Sequence, residues 1–165
     1  MKIRRLLRHV AQTRPGLRRR FPDSALAAIE AAVHHGERYH DGEVRFAVEA
    51  ELDLAALWRD QTPRERALEV FSHLGIWDTE HNNGVLVYLL LADRAVEIVA
   101  DRGFNGYVAP EAWRSICHAI EVECREGRYE QGICQGLGAI HELIAQHFPA
   151  TDAGRNELSD RPVLL

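Results

Sequence analysis

The stretch Val85–Ala92, Val-Leu-Val-Tyr-Leu-Leu-Leu-Ala, limits what this chain can fold into more than any other. A run that is apolar on both of its faces belongs at the centre of a sheet with helices above and below it. It is far too short to span a bilayer, which takes roughly 20 residues. Beyond Ala92-Asp93-Arg94 a second apolar stretch follows. Val85–Leu91 and Ala95–Ala100 therefore read as two antiparallel strands joined by a short turn. A lone hairpin is marginal in water, so the rest of the chain has to supply the layers that cover it.

Periodicity provides those layers. Residues 43–51, Glu-Val-Arg-Phe-Ala-Val-Glu-Ala-Glu, alternate with period two and put Val44, Phe46, Val48 and Ala50 on one face of a strand. Thr62-Pro63-Arg64-Glu65 is a capping box with proline at the first helical position; Ala67, Val70, Phe71 and Leu74 form the stripe behind it, and Gly75 is the stop. Asp23 is the expected N-cap of an earlier helix with Leu26, Ile29 and Val33 on one face, which Gly36 ends. Pro110 opens a helix to about Glu126 with Trp113, Ile116, Cys117, Ile120 and Cys124 inward. Another, from about Tyr129 to His147, carries Ile133, Leu137, Ile140 and Ile144. The order helix, strand, helix, strand, strand, helix, helix predicts an α/β fold: a three-layer α/β/α sandwich around a small mixed β-sheet with the hairpin at its centre.

Charge divides the chain. Residues 1–20 hold eight basic side chains and no acid, so of the formal net charge of −5 the remaining residues carry −13. Ile3, Leu6, Leu7 and Val10 fall at helical spacing among those arginines, giving a short basic amphipathic helix over residues 2–12. The reading is a basic arm over 1–21, a body over 22–148 and, where the composition turns polar from Pro149, a disordered tail over 149–165. With no apolar h-region or small-residue cleavage site near the start, a cytoplasmic protein is expected. The cysteines agree. Cys117 and Cys124 lie roughly 10.5 Å apart along one helix, beyond the reach of a disulfide, and pairing Cys134 with either would orphan the other. Reduced, buried thiols are expected.

The segment Trp77–Gly106 resembles the TPM domain family. The matching pieces are Asn82-Asn83-Gly84-Val85-Leu86, the apolar strand, Ala92-Asp93-Arg94, Val96-Glu97-Ile98-Val99 and Gly103-Phe104-Asn105-Gly106; "REGRYEQGI" further on fits the family's helix-break-helix segment. The likeness covers roughly residues 22–148 and implies the same α/β/α sandwich. For function it implies several alternatives. Some bacterial and thylakoid-associated members are described as acid phosphatases, some as binders of divalent cations through their loops, and some as accessory factors of membrane-associated assemblies. The family commonly shows Gly-aromatic-Gly-apolar-Glu-Gly followed by Asp. Here the stretch runs Asp101-Arg102-Gly103-Phe104-Asn105-Gly106, with Pro110 near the place of the later Asp.

Topology suggests where chemistry would sit. An antiparallel hairpin lays Asp101 beside the start of its first strand, near Asp78, Glu80, Asn82 and Asn83. If the strand at 43–51 runs parallel to its successor, Glu43 lies at that same edge. Together with Asn105 these oxygens suit a weakly held Ca²⁺ or Mg²⁺; the alternative is ordinary turn chemistry, for which Asp and Asn are also favoured. No Cys or second His accompanies His81 at zinc spacing. Phosphatase designs are constrained further. The residues six beyond Cys117, Cys124 and Cys134 are Glu123, Glu130 and Ile140 rather than Arg, and no Asp-x-Asp follows a strand. Only a metal-assisted route is left. His34, His35 and His40 read as surface residues, and Trp58, Trp77 and Trp113 as core or lid residues.

The expected function is a TPM-like binding or scaffolding module with a protein partner. The alternative is a divalent-metal-dependent phosphatase of broad substrate range. For the basic arm three targets rank in this order: docking on its own domain or a partner, an anionic membrane surface through residues 1–20, and nucleic acid, which the acidic body would repel.

Overall fold

The computed structural model describes residues 3–12, 14–151 and 156–165; expectations at Met1, Lys2, Thr13 and residues 152–155 lie outside the described residues. In chain order the elements are α1 (Ile3–Ala11), α2 (Arg14–Arg20), α3 (Asp23–Glu37), β1 (Glu43–Glu49), α4 (Leu54–Trp58), α5 (Pro63–His73), β2 (Gly84–Leu90), β3 (Ala95–Ala100), a 3₁₀ turn (Arg102–Phe104), α6 (Pro110–Arg125), α7 (Tyr129–Ala145) and β4 (Val163–Leu164). The sheet order is β3-β2-β1-β4. β1 runs parallel to β2 and to β4, and β2 and β3 form the antiparallel hairpin, with Val85 opposite Ala100.

β2 is buried along its whole length, because each face meets its own apolar layer. Val85, Val87 and Leu89 join Val44, Phe46 and Val48 under α3, α6 and α7, together with Ile29, Ile120, Ile133 and Ile140. Leu86, Tyr88 and Leu90 point the other way, into a second cluster with Leu57, Ala67, Val70 and Ile76 from α4, α5 and the following loop. The fold is thus the expected α/β/α sandwich. One polar group sits at its centre. Tyr88 is fully buried and gives its hydroxyl proton to Glu49 Oε2, and Arg66 on α5 closes on both Glu49 oxygens at 2.9 Å. A buried phenol is tolerable because its hydroxyl is satisfied and the carboxylate it meets is paired.

Local signals fix the helix starts. Thr62 and Glu65 form the reciprocal capping box at α5. At α3 the N-cap is Pro22, with Asp23 in the first turn and no side-chain cap, so Asp23 acts on the helix dipole rather than as the cap. Gly36 does not end α3, which continues to Glu37. It is there because a Cβ at that position would stand 2.1 Å from the His141 ring of α7.

The tail differs from expectation, and the basic arm is tied to the body. The basic arm does not stop short of the body: Leu17 and Phe21 are buried, and the Phe21 ring meets Phe46 and Tyr129 at 5.9 and 5.6 Å. The tail from Pro149 is not a disordered appendage in its described part. Pro149 bridges His40, the N–H groups of Glu157 and Leu158 donate to Glu43, and β4 pairs with Ala47 and Val48 on the open edge of β1. A polar stretch with few apolar residues orders here because a buried carboxylate captures its backbone and its last apolar residues, Val163 and Leu165, reach the α4/α5 cluster. The tryptophans also differ. Trp58 and Trp77 are exposed, and only Trp113 packs inward, edge-on to Phe104.

Truncation after Pro162 is expected to lower stability by about 2–4 kcal/mol, the burial of a few partly covered aliphatic side chains, with the denaturant slope little changed. A urea midpoint equal to that of the full chain would show that β4 contributes nothing.

Candidate functional site

The first residues of β1 and β2 and the last of β3 share one end of the sheet, as the register of Glu43 with Gly84 and of Val85 with Ala100 requires. The loops there form a polar rim with two parts.

On the hairpin side, Asn82 and the 3₁₀ turn are tied together. Asn82 sits in the left-handed region (φ 52), which Asn tolerates, and its carbonyl accepts the Gly103 N–H at 2.9 Å. A Cβ at Gly103 would lie 2.4 Å from that same carbonyl oxygen, so only glycine allows the approach. The Asn82 Oδ1 accepts from Arg102 Nε at 2.8 Å. Asp101 Oδ1 caps the turn through the Arg102 N–H, its Oδ2 is buried with no partner among the described residues, and the Asn105 N–H closes the turn on the Arg102 carbonyl. Asn83 is wholly buried. Its N–H donates to Thr79 Oγ1, its Nδ2 to the Asp41 carbonyl, and its Oδ1 has no partner among the described residues. Asp78 and Glu80 are exposed. The Asp78 N–H bonds within its own turn to Gly75, and the Glu80 N–H donates to the Glu157 carboxylate. The structure thus joins Asn82, Asp101 and Asn105 through the Arg102 turn and sets Asn83 toward β1, while Asp78 and Glu80 lie on the outer turns. Among the described residues no three of His, Cys, Asp and Glu converge to hold a metal ion.

Of the second part only the place of Glu43 was legible in the sequence. A cleft of about 220 Å³ opens between the end of α3, the start of β1 and the returning tail, lined by Glu37, His40, Asp41, Glu43 and Thr151 among others. Glu37 Oε1 accepts the Val44 N–H at 2.8 Å, and Oε2 is buried without a partner among the described residues. Burial pushes this carboxyl up to about 9, with Glu43 and Asp160 adding repulsion, so it is neutral at physiological pH. Burial also raises Glu43, even though two backbone N–H groups hold its oxygens at 2.9 and 3.1 Å. Asp160 bonds His34 Nδ1 at 2.8 Å and Asn156 Nδ2 at 2.6 Å. Asp41 takes the N–H and hydroxyl of Thr151.

At the floor of the rim His40 and His141 form a buried pair, 2.7 Å between Nε2 and Nδ1. Because the Gly42 N–H donates to His40 Nδ1, His40 carries its proton on Nε2 and gives it to His141 Nδ1. His141 must then be protonated on its own Nε2, which is buried without a partner among the described residues. Burial pulls both imidazoles down to about 4. His40 is therefore a core residue and not the surface histidine its helix-end position suggested. The thiols lie away from the rim. Cys117 and Cys124 are pushed up to about 11 by burial and Cys134 upward in the same direction, so none is poised as a thiolate.

The rim yields a pH dependence with two opposed signs. The histidines are neutral in the fold and protonate near 6.5 when unfolded, so stability falls as pH drops from about 6.5 toward 4. Glu37 holds its proton in the fold to about 9 but loses it near 4.5 when unfolded, so its contribution is complete below 4.5 and disappears as pH rises toward 9. Glu37→Gln, which keeps the acceptor for Val44, is expected to flatten the decline above pH 6.5, whose slope from this one group is at most about 1.4 kcal/mol per pH unit. Parallel midpoint-versus-pH curves for the variant and the parent would refute the assignment.

The model of a family described as TPM domain matches residues 16–143. The chain is similar to the NMR structure of the BA42 protein from the psychrophilic bacterium Bizionia argentinensis, with a TM-score of 0.72 and 27% identity over 86% of this chain and 93% of that one. It is also similar to the solution structure of the N-terminal domain of a protein from P. gingivalis, with a TM-score of 0.57 and 20% identity over 72% of each chain, a likeness of fold alone. No curated protein matches the chain.

Proposed function

The chain belongs to the TPM domain family, and on that basis we propose that it is a binding module whose hairpin rim takes a hydrated divalent cation weakly at Asp101. The carrying observation is how the rim carboxylates are already used. Glu43 is held by the Glu157 and Leu158 N–H groups, Asp41 by Thr151, and Asp101 Oδ1 by the Arg102 N–H. Acids engaged in holding the protein's own backbone serve recognition and shape. General acid–base work asks instead for groups within reach of a substrate proton.

Asp101 Oδ2 is the exception that gives the cation its place. A buried carboxylate oxygen without a donor is costly, and a cation or its water shell would satisfy it. Asn82 already serves Arg102, so few protein oxygens remain. That suits an ion such as Mg²⁺, which keeps most of its waters and needs one or two carboxylates, better than a fully coordinated Ca²⁺ with six to eight oxygens. The nearby Arg102 guanidinium weakens the attraction. Among the described residues no helix is long and apolar enough to cross a membrane.

The metal-dependent phosphatase reading makes the opposite demand on the same residue. Titration of ¹H–¹⁵N spectra with Mg²⁺ and Ca²⁺ is expected to give saturable shifts confined to residues 78–83 and 101–106, lost in Asp101→Asn, while p-nitrophenyl phosphate is released no faster than in buffer. The absence of any localised shift at millimolar cation would remove the ion from the proposal. Chelator-sensitive phosphate release that falls by about tenfold or more in Asp101→Asn, the scale of a lost metal ligand or second-shell partner, would replace the binding module with an enzyme.

A further inference from the structure

We infer that α1 lays its outward apolar stripe into the surface of an anionic lipid bilayer. At 100° per residue, Ile3, Leu7 and Val10 fall within an arc of about 60°, with Leu6 at its margin and Arg5 and His9 on the other side of the helix. In a soluble domain the apolar arc would face the body. Here the polar side does. Arg5 grips Asp93 with Nε and Nη2 at 2.7–3.2 Å and reaches the Gln61 carbonyl, while His9, 1% exposed, accepts the Leu52 N–H and stands 3.2 Å from the same Asp93. Leu6 alone tucks against the α4/α5 cluster. Ile3, Leu7 and Val10 are left 72%, 62% and 65% exposed.

Asp93 fixes the rotation of the helix. Its carboxyl is held below its usual value by Arg5 and His9 against the opposing effect of burial, so the stripe cannot roll inward without breaking a part-buried ion pair, which is strongly destabilising. The expectation that the helix docks on its own domain therefore holds, but through the face opposite to the apolar one. The docking leaves the aliphatic side chains in need of a cover.

Charge selects what covers them. Exposed Arg4 borders the stripe, Arg8 lies beyond it, half exposed and 3.3 Å from Asp93, exposed Arg18 and Arg19 follow on α2, and residues 1–20 contain no acid. A second copy would set these arginines against themselves. The stripe of a nine-residue helix is also small beside the roughly 800 Å² per partner that a stable protein interface needs. Nucleic acid offers phosphates but no apolar layer. An anionic bilayer offers both, an acyl boundary for the aliphatic groups and headgroups for the guanidiniums. α4, whose flanking residues Leu52 and Gln61 bind His9 and Arg5, adds two exposed apolar side chains: Ala56 and Leu57 pack into the cluster that holds Leu6, and Leu54 and Trp58 face solvent at 60% and 71% exposure. Tryptophan is suited to the headgroup boundary.

The test uses the full chain and co-sedimentation with phosphatidylcholine vesicles, with and without about one third phosphatidylglycerol. Binding is expected on the anionic vesicles only. It should fall about tenfold or more at about 0.5 M salt, and by a similar factor in Leu7→Glu and in Val10→Glu; both positions are exposed, so thermal midpoints should stay unchanged. Equal binding to neutral vesicles, no binding at all, or wild-type binding by both variants would overturn the inference. So would a lipid-free dimer, seen by light scattering, that Leu7→Glu dissolves, because a second copy would then be the cover.

Discussion

The structure depends on the burial of β2 between two apolar layers. A strand whose residues all lie inside the protein cannot be an edge and cannot face water on either side. It demands a partner strand along each flank and a helical layer on each face. β3 supplies one flank through the turn at Asp93, and β1 supplies the other in parallel, which forces the intervening α4 and α5 to cross over one face. Apart from the Tyr88 hydroxyl and its partner Glu49, the polar groups that matter are thereby pushed to the ends of the strands. The rim at Asn82, Asp101 and Glu43 and the clamp at Asp93 are the two ends of the same buried ribbon.

These ends are used differently. At the rim, acids hold the protein's own backbone: Glu43 and Asp41 capture the returning C-terminal segment, and that segment covers part of the edge of β1. An uncovered parallel edge would be a template for pairing with another chain. At the far end Asp93 gathers Arg5, Arg8 and His9 and so holds α1 with its apolar stripe facing outward. At both ends charge-assisted hydrogen bonds from N–H donors offset part of the cost of burying the carboxylates.

Which parts were legible follows from the range of the forces involved. The capping box at Thr62, the alternation of residues 43–51, of which Glu43–Glu49 form β1, and the proline opening α6 are signals of nearest neighbours, and they read correctly in kind. The proximity of Asn82 to the turn at Asp101–Asn105 was also legible, since strand direction alone places the end of β3 beside the start of β2. Glu37, His141 and Asp160 were not. Setting His141 against His40 requires α7 to pack on α3 close enough that a Cβ at Gly36 would strike the His141 ring, and setting Asp160 beside Glu37 requires the tail to come back to Glu43. The tail's apolar ending, Val163-Leu164-Leu165, was the one available hint that it returned.

The sequence by itself determined the layers, the central hairpin and the family, because apolar periodicity states which face of each element must leave water. Only the tertiary structure decided which polar groups meet and which way α1 turns. Periodicity shows that a helix has an apolar side, and by that measure α1 should have hidden it. The orientation was set instead by one carboxylate at the hairpin turn, 88 positions from Arg5 in the chain, whose need for donors outweighed the burial of three aliphatic side chains.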